Sequence, residues 1–284
     1  MKINSSTQFL GLIGYPLGHS LSPLIHNYLF KKYNINAVYG CFPTKNLKEA
    51  VKGFLSVGFK GFNVTIPYKE KVIPYLDKID KEAKIIGAVN TVKIHKGKLF
   101  GYNTDGKGFL LSLKKFNLKV KDKNIFILGA GGAAKSISVY LAKEKVKRID
   151  FYDIDFKKAI KLAKRLRRFF SCIKVNVFEE KEKIDLKNYT LLINATGVGL
   201  KKEDSPPIFL DKAPPDLVVY DLIYNPPLPS LLKEAKKRKL FTVNGLWMLI
   251  YQALEAERIW FGENFYSEAD ILYKKLTKEL KNAG

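Results

Sequence analysis

The chain has 284 residues, 46% of them hydrophobic, which is enough to build one large or two medium globular domains. Its two cysteines, Cys41 and Cys172, lie far apart without a C-x-x-C partner, so neither a disulfide framework nor a zinc knuckle is expected, and a reducing cytoplasm fits best. The formal net charge of +23 comes from basic residues spread along nearly every predicted helix, which favours a solvated surface attractive to anionic small ligands over a nucleic-acid-binding face.

The first hundred residues alternate strand and helix patterns, as in an α/β domain. Ser22 is predicted to cap the first helix, with Pro23 in its first turn. The predicted strands are 8–13, 37–42 and 61–66, the predicted helices are 22–33 and 47–57, and a hairpin is predicted from 88–95 and 98–102.

A helix at 106–116 leads out of this domain, and a second α/β pattern begins at Asn124. Its predicted strands are 124–128, 148–152, 174–177, 190–194 and 217–221, and they are followed by helices at 246–261 and 267–280. We therefore predict a two-domain α/β fold, with an N-terminal α/β domain at 1–105, joined by the C-terminal helices at 246–284, and a Rossmann-type domain at 106–245. A cleft is expected between the two domains.

The stretch NIFILGAGGAAKS, residues 124–136, has the pattern of a buried strand, a tight glycine turn and a helix. Gly129 permits the sharp turn, Gly131 lacks a Cβ that would keep the backbone from a pyrophosphate, and Ala134 allows close packing of helix on strand. Asp153 ends the next predicted strand, 24 residues after Gly129, close to where such folds place a carboxylate for a ribose hydroxyl. The stretch predicts a dinucleotide site.

Four polar segments lie among the apolar strands of the first domain: 18–23, 61–69, 87–91 and 101–106. Together with the glycine turn and the segments 194–197, 221–226 and 245–252, they resemble, in order and across almost the full length, the motifs of the shikimate dehydrogenase family. The resemblance implies a substrate domain followed by a Rossmann domain. It also implies an oxidoreductase of the chorismate pathway of aromatic amino-acid biosynthesis, which interconverts 3-dehydroshikimate and shikimate with NAD or NADP.

The resemblance assigns the proton transfer of this reaction to Lys69 and Asp105. Reduction of a ketone by a hydride leaves an alkoxide that must be protonated, and a lysine oriented by a carboxylate suits that task. The family's substrate-binding positions correspond to Ser20, Ser22, Thr65, Asn90, Tyr224 and Gln252. Asn63 is expected to shape the site rather than to contact substrate.

The resemblance also implies the cofactor-binding positions. These are Gly129, Ala130, Gly131, Gly132, Ala133, Asp153, Thr196, Leu222 and Gly245. Gly245 would let its backbone approach the nicotinamide amide. No metal site is indicated, because His19, His26 and His95 have no metal-ligand spacing around them.

The chain departs from the family at the ribose loop. NADP-dependent members generally have Asn-Arg-Thr there, whereas this chain has Asp153, Ile154 and Asp155. A carboxylate repels a 2′-phosphate and favours a free 2′-hydroxyl, a discrimination of order 1 to 3 kcal/mol, so we predict a preference for NAD. Lys157 and Lys158 follow closely and leave dual use open. A second departure is Ser230, where the family usually has threonine, and it is expected to cap the following helix.

Three alternatives stay open. One is a quinate/shikimate dehydrogenase using NAD, another is a Rossmann dehydrogenase acting on a folate or tRNA-linked substrate, and the third is a non-enzymatic nucleic-acid-binding module that uses the basic surface. The favoured partner is a small-molecule substrate, with no nucleic acid and no membrane, since no apolar segment of about 18 residues occurs. A monomer or a homodimer is expected.

Overall fold

The computed structural model describes residues 3–18, 20–201 and 203–282, so His19 lies outside the described residues. The chain divides into two compact units. The first contains the described residues up to Gly108 together with Ile250–Leu276, and the second contains Phe109–Leu249 with the residues from Thr277 onward. None of the helices in the described ranges is long and apolar enough to cross a membrane.

Each unit is built on a six-stranded sheet. The strands are β1 (Gln8–Gly14), β2 (Ala37–Pro43), β3 (Gly61–Val64), β4 (Lys78–Ile79), β5 (Thr91–His95), β6 (Lys98–Tyr102), β7 (Asn124–Leu128), β8 (Arg148–Tyr152), β9 (Lys174–Phe178), β10 (Leu191–Asn194), β11 (Val218–Asp221) and β12 (Phe241–Asn244). The α-helices are α1 (Ser22–Lys32), α2 (Leu47–Ser56), α3 (Lys81–Ile86), α4 (Asp105–Lys115), α5 (Gly132–Lys143), α6 (Phe156–Phe169), α7 (Ser230–Lys237), α8 (Leu246–Phe261) and α9 (Ala269–Asn282).

The sheet of the first unit is mixed, with the strand order β2-β1-β3-β5-β6-β4. Strands β2, β1 and β3 are parallel, and β5 runs antiparallel to both β3 and β6, which confirms the predicted hairpin. Successive side chains of β1 point to opposite faces of the sheet, so Leu10 and Leu12 belong to one core cluster and Ile13 to another. Because β1 and β3 are parallel neighbours, the residues that follow Gly14 and Val64 emerge at the same edge of the sheet.

The sheet of the second unit is entirely parallel, with the order β12-β11-β10-β7-β8-β9. Counted within the unit, this is the doubly wound order of a Rossmann fold, and it confirms the predicted fold class. The strand order reverses between β7 and β10. Ligands of such sheets bind outside the carboxyl ends of the strands at this point, where the loops that begin with Gly129 and Ala195 lie.

Two predictions about helix caps are wrong. Helix α1 is capped by Leu21, whose carbonyl accepts from the N–H groups of Leu24 and Ile25, and Ser22 lies inside the helix without capping it. Helix α7 is capped by Pro229, whose carbonyl accepts from Lys233 N, and the Ser230 hydroxyl makes no cap hydrogen bond. In both cases the residue before the serine is the N-cap, and the serine is the first residue of the helix.

Candidate active site

The centre of the first unit's site is an ion pair between Lys69 and Asp105. Lys69 follows β3 by a short loop and Asp105 begins α4, so the ends of two different segments bring them together. The Nζ atom of Lys69 lies 2.6 Å from Oδ2 of Asp105, and the side chains are 20% and 7% exposed. The pair is thus largely shielded from bulk water. A charge-assisted hydrogen bond is stronger in such a shielded position than at the protein surface.

Asn90 holds the other oxygen of that carboxylate. Its Nδ2 atom donates to Asp105 Oδ1 at 2.8 Å and to Thr104 Oγ1 at 2.9 Å. Gln252, on α8, is the next neighbour, with its Oε1 atom 3.5 Å from Asn90 Nδ2 and 3.5 Å from Thr104 Oγ1. The structure therefore brings four of the expected residues, Lys69, Asn90, Asp105 and Gln252, into one connected cluster.

The two expected carboxylate-binding serines lie at the start of α1. The Ser20 hydroxyl accepts from the backbone N–H of Ser22 at 3.3 Å, which links the two serines. Ser22 is buried, whereas Ser20 is partly exposed. Thr65 follows β3 at the same edge of the sheet, and its backbone N–H donates to Ile13 O at 2.9 Å. Two hydroxyls and a helix N-terminus at one edge form an environment that suits an anion.

In the second unit, the glycine turn has the shape that the sequence predicts. Gly129 has a φ of +95°, and a Cβ there would lie 2.9 Å from the Ala195 carbonyl oxygen, so the turn requires glycine. Gly131 is the N-cap of α5, and a Cβ built on it meets no atom within 4 Å. The N-terminus of α5 therefore has space beside Gly131, and the positive end of the helix dipole there favours an anion.

Asp153 lies beside this turn at the end of β8. Its Oδ2 atom accepts from Ala130 N at 2.7 Å and its Oδ1 atom accepts from Asp155 N at 2.8 Å. Two backbone N–H groups thus fix the carboxylate against the loop. Lys158 is 3.2 Å from Asp155 Oδ2, and the hydrogen bond from Lys158 lowers the pKa of Asp155. Lys158 therefore already has an acidic partner, while Lys157 is exposed.

The remaining expected cofactor residues lie on loops at the carboxyl edge of the second sheet. Thr196 donates from its hydroxyl to Asn194 Oδ1 at 2.6 Å. A Cβ on Gly245 would lie 1.8 Å from the Leu222 carbonyl oxygen, so only glycine fits beside Leu222. Tyr224 belongs to the same edge of this unit, and burial raises the pKa of its hydroxyl.

The structure reveals polar partners to which the sequence assigned no role. Thr91, Thr104 and Tyr39 hydrogen-bond within the first site, and Asn194 pairs with Asp221 in the second unit. The sequence signal that could have indicated such partners is a polar residue within an otherwise apolar, buried strand, because buried polar groups are hydrogen-bonded. His26 is fully buried and its Nδ1 atom hydrogen-bonds with Glu257, so it is a hydrogen-bonded core residue. No group of three or more potential metal ligands occurs in the described part of the chain.

Comparison with known proteins agrees with this geometry. Residues 12–92 match the family model of the shikimate dehydrogenase substrate binding domain. A shikimate dehydrogenase (NADP(+)) of Methanocaldococcus jannaschii is 43% identical over 287 residues, which span 97% of this chain and 100% of the relative. The chain belongs to the shikimate dehydrogenase family.

Solved structures of the family extend the likeness to the whole fold. A crystal structure of a shikimate dehydrogenase in complex with NADP+ has a TM-score of 0.89 and 42% identity, covering 96% of this chain and 97% of that one. The shikimate 5-dehydrogenase of Listeria monocytogenes, in complex with shikimate and NAD, has a TM-score of 0.89 and 34% identity, covering 97% and 98%. Family members are thus known with either nicotinamide cofactor.

Proposed function

We propose that this protein is a shikimate dehydrogenase that interconverts 3-dehydroshikimate and shikimate with a nicotinamide cofactor. The observation that carries the proposal is the shielded pair of Lys69 and Asp105, with Nζ and Oδ2 2.6 Å apart and Asn90 on the second carboxylate oxygen. Lys69 lies within the segment 12–92 that matches the family's substrate-binding domain, and Asp105 follows that segment. Membership of the family supplies the substrate class, and the pair supplies a group able to move the proton.

Lys69 is the proposed acid and base. In the direction of reduction, its Nζ atom gives a proton to the carbonyl oxygen as that oxygen becomes a hydroxyl, and in oxidation Nζ takes the proton back. Asp105 orients Lys69 through one oxygen, and its carboxylate is positioned to accept a hydrogen bond from a substrate hydroxyl. Asn90 and Gln252 offer amide donors and acceptors to the remaining ring hydroxyls.

Ser20 and Ser22 are proposed to bind the substrate carboxylate. Ser20 precedes α1 and Ser22 is its first residue. The positive end of the helix dipole lies there and favours a negative charge. Thr65 emerges at the same edge of the sheet and adds a third hydroxyl. Hydroxyl donors fix the ring in one orientation, which places a single carbon–oxygen bond beside Lys69.

The second unit fits a dinucleotide cofactor. The open space around Gly131 would admit a pyrophosphate against the N-terminus of α5, where the positive end of the helix dipole favours an anion. Ala130, Gly132, Ala133, Thr196, Leu222, Tyr224 and Gly245 belong to the same edge and would complete the binding surface. When bound, the nicotinamide supplies or accepts the hydride.

We propose that NAD is preferred over NADP, although the M. jannaschii relative is named for NADP+. The supporting observation is the position of Asp153, whose carboxylate is fixed beside the glycine turn by the N–H groups of Ala130 and Asp155. A fixed carboxylate offers acceptors to a free ribose 2′-hydroxyl and repels a 2′-phosphate. Lys158 contributes little counter-charge there because it pairs with Asp155.

The decisive experiment is an absorbance assay of cofactor reduction with shikimate or quinate as substrate, each with NAD or NADP. We expect turnover with shikimate that exceeds turnover with quinate, and a higher kcat/KM with NAD than with NADP. Faster oxidation of quinate would make the protein a quinate/shikimate dehydrogenase. Absence of turnover with both acids and both cofactors would overturn the proposed function.

A further inference from the structure

The orientation of the Asn90 amide is set by its neighbours. Its Oδ1 atom accepts from the backbone N–H of Thr104 at 2.8 Å. A backbone N–H can only donate, so the oxygen must face Thr104 and the NH2 group must face Asp105. The Thr91 hydroxyl supports the same orientation, since it lies 3.0 Å from Asn90 Oδ1 and donates to it.

Asn63 continues the network on the far side of Thr91. Its Nδ2 atom donates to the Asn90 backbone carbonyl at 3.1 Å and to Thr91 Oγ1 at 3.0 Å. Because a carbonyl oxygen can only accept, this contact fixes which end of the Asn63 amide carries the nitrogen. The Thr91 oxygen thus accepts from Asn63, and its single proton points to Asn90 Oδ1 at 3.0 Å, which is nearer than Thr104 Oγ1 at 3.3 Å.

Tyr39 closes the network at its other end. Its hydroxyl donates to Asn63 Oδ1 at 2.7 Å. Burial raises the pKa of Tyr39 well above its usual value, so the hydroxyl keeps the proton that it donates. Tyr39, Asn63, Thr91 and Asn90 are all buried, so water does not compete for these hydrogen bonds.

Four of these hydrogen bonds therefore form a chain in one direction, from Tyr39 through Asn63, Thr91 and Asn90 to the carboxylate of Asp105. Bonds aligned in this way polarise and strengthen one another in a low-dielectric interior. We propose that Tyr39 and Thr91 are positioning residues for the dehydrogenase reaction: their hydroxyls hold the Asn90 amide in the orientation that aims Asp105 at Lys69. This inference rests on the proposed function, in which Lys69 and Asp105 perform the proton transfer.

The first test compares Thr91→Val with Thr91→Ser. Valine keeps the shape of threonine and removes the hydroxyl, whereas serine keeps the hydroxyl and removes a methyl group. We expect Thr91→Val to lower kcat by about 10- to 100-fold, with a smaller change in KM for shikimate, because a misplaced catalytic group affects the chemical step most. Thr91→Ser should stay within a few fold of the unmodified protein. The opposite ranking would overturn the inference, since a packing role would make serine the worse substitution.

The second test uses Tyr39→Phe, which removes the Tyr39 hydroxyl and with it the first donor of the network. We expect a fall in kcat in the same direction as for Thr91→Val, but smaller, because Asn63 keeps its bond to the Asn90 carbonyl. Tyr220→Phe is the matched control, since Tyr220 is equally buried and its hydroxyl pairs with Ser112 in the second unit. Equal kcat values for the Tyr39 variant and this control would count against Tyr39.

A third measurement does not depend on turnover. In a protein carrying 15N-labelled asparagine, the Asn90 side-chain amide is assigned by its loss in Asn90→Ala, and its hydrogen exchange is followed by NMR. We expect slow exchange in the unmodified protein and faster exchange in Thr91→Val. Unchanged exchange would overturn the inference even in an active enzyme. If the protein shows no shikimate turnover, the proposed function fails, and this measurement still decides whether the hydroxyls orient Asn90.

Discussion

Asn194 and Asp221 join the carboxyl ends of two neighbouring parallel strands, with Asn194 Nδ2 3.0 Å from Asp221 Oδ2. Asp221 also accepts from Ile223 N at 3.0 Å, and Asn194 Oδ1 accepts from the Thr196 hydroxyl. Burial raises the pKa of Asp221 to about 6, although these hydrogen bonds oppose the increase. The pair therefore fixes the start of the two loops that follow β10 and β11, and it places a titrating group inside the second unit.

This geometry predicts a pH-dependent stability that is linked to Asp221. Its pKa in the folded protein, about 6, lies above the ordinary value of 3.8, so its contribution to stability is fully present below about pH 4 and is lost as the pH rises through 6. The Asp221→Asn variant does not titrate. The unfolding free energy of this variant, relative to that of the unmodified protein, should increase by up to about 3 kcal/mol between pH 4 and pH 7.

Chemical denaturation of both proteins at several pH values measures this difference. Asp216→Asn is the control, because Asp216 is exposed just before β11. The difference in unfolding free energy between this variant and the unmodified protein should not change with pH. At pH 4 we expect Asp221→Asn to be the less stable protein, since it loses one hydrogen bond worth about 1 kcal/mol. A gap that stays constant from pH 4 to pH 7 would contradict the prediction.

Removal of the Lys69 ammonium should abolish efficient proton transfer. We expect Lys69→Ala to lower kcat by about 10²- to 10⁴-fold, the usual contribution of a positioned acid or base. Cofactor affinity should not change, because the cofactor residues lie in the second unit. Turnover is measured by cofactor absorbance and affinity by fluorescence titration.

Lys71→Ala is the matched control for this variant, since Lys71 is exposed two residues further along. We expect it to retain the turnover of the unmodified protein. Retained turnover in Lys69→Ala would remove Lys69 from the proposed role.

Neutralising Asp153 should weaken the discrimination against NADP. We expect Asp153→Asn to raise the ratio of kcat/KM with NADP to that with NAD by roughly 5- to 150-fold, equivalent to about 1 to 3 kcal/mol. Glu144→Gln removes the same charge at the far end of α5, where Glu144 is the C-cap, and should leave the ratio unchanged. A preference for NADP in the unmodified protein would show that our interpretation of Asp153 is wrong.

Gly245 should tolerate no side chain. A Cβ there would overlap the Leu222 carbonyl, so Gly245→Ala must displace the backbone and should cost about 1 to 3 kcal/mol of unfolding free energy. Gly53→Ala is the matched control, because a Cβ on Gly53 meets nothing within 4 Å and alanine favours the helix α2. Thermal denaturation of both variants measures the contrast, and equal melting temperatures would argue against a close approach of Gly245 to Leu222.

The sequence predicted most of the strands but missed two, for a physical reason. Strand β4 has two residues, too few for an alternating pattern, and β12 lies at the edge of its sheet with only Val243 buried. Burial of a strand face produces the alternation that sequence analysis detects, so an edge strand gives a weak signal. The serine caps were wrong because the backbone conformation decides the cap: in both helices the residue before the serine is the N-cap, and the serine already belongs to the helix.

The sequence by itself determined the α/β class, the Rossmann-type second unit and the glycine turn at Gly129, because periodicity and the conformational freedom of glycine are local properties. Through its ordered motifs it also pointed to Lys69 and Asp105. Only the tertiary structure decided that Lys69 contacts Asp105 and that Tyr39, Asn63, Thr91 and Asn90 form one directed network to that carboxylate. Hydrogen-bond direction depends on which donor faces which acceptor across strands distant in sequence, and only the folded chain fixes those pairings.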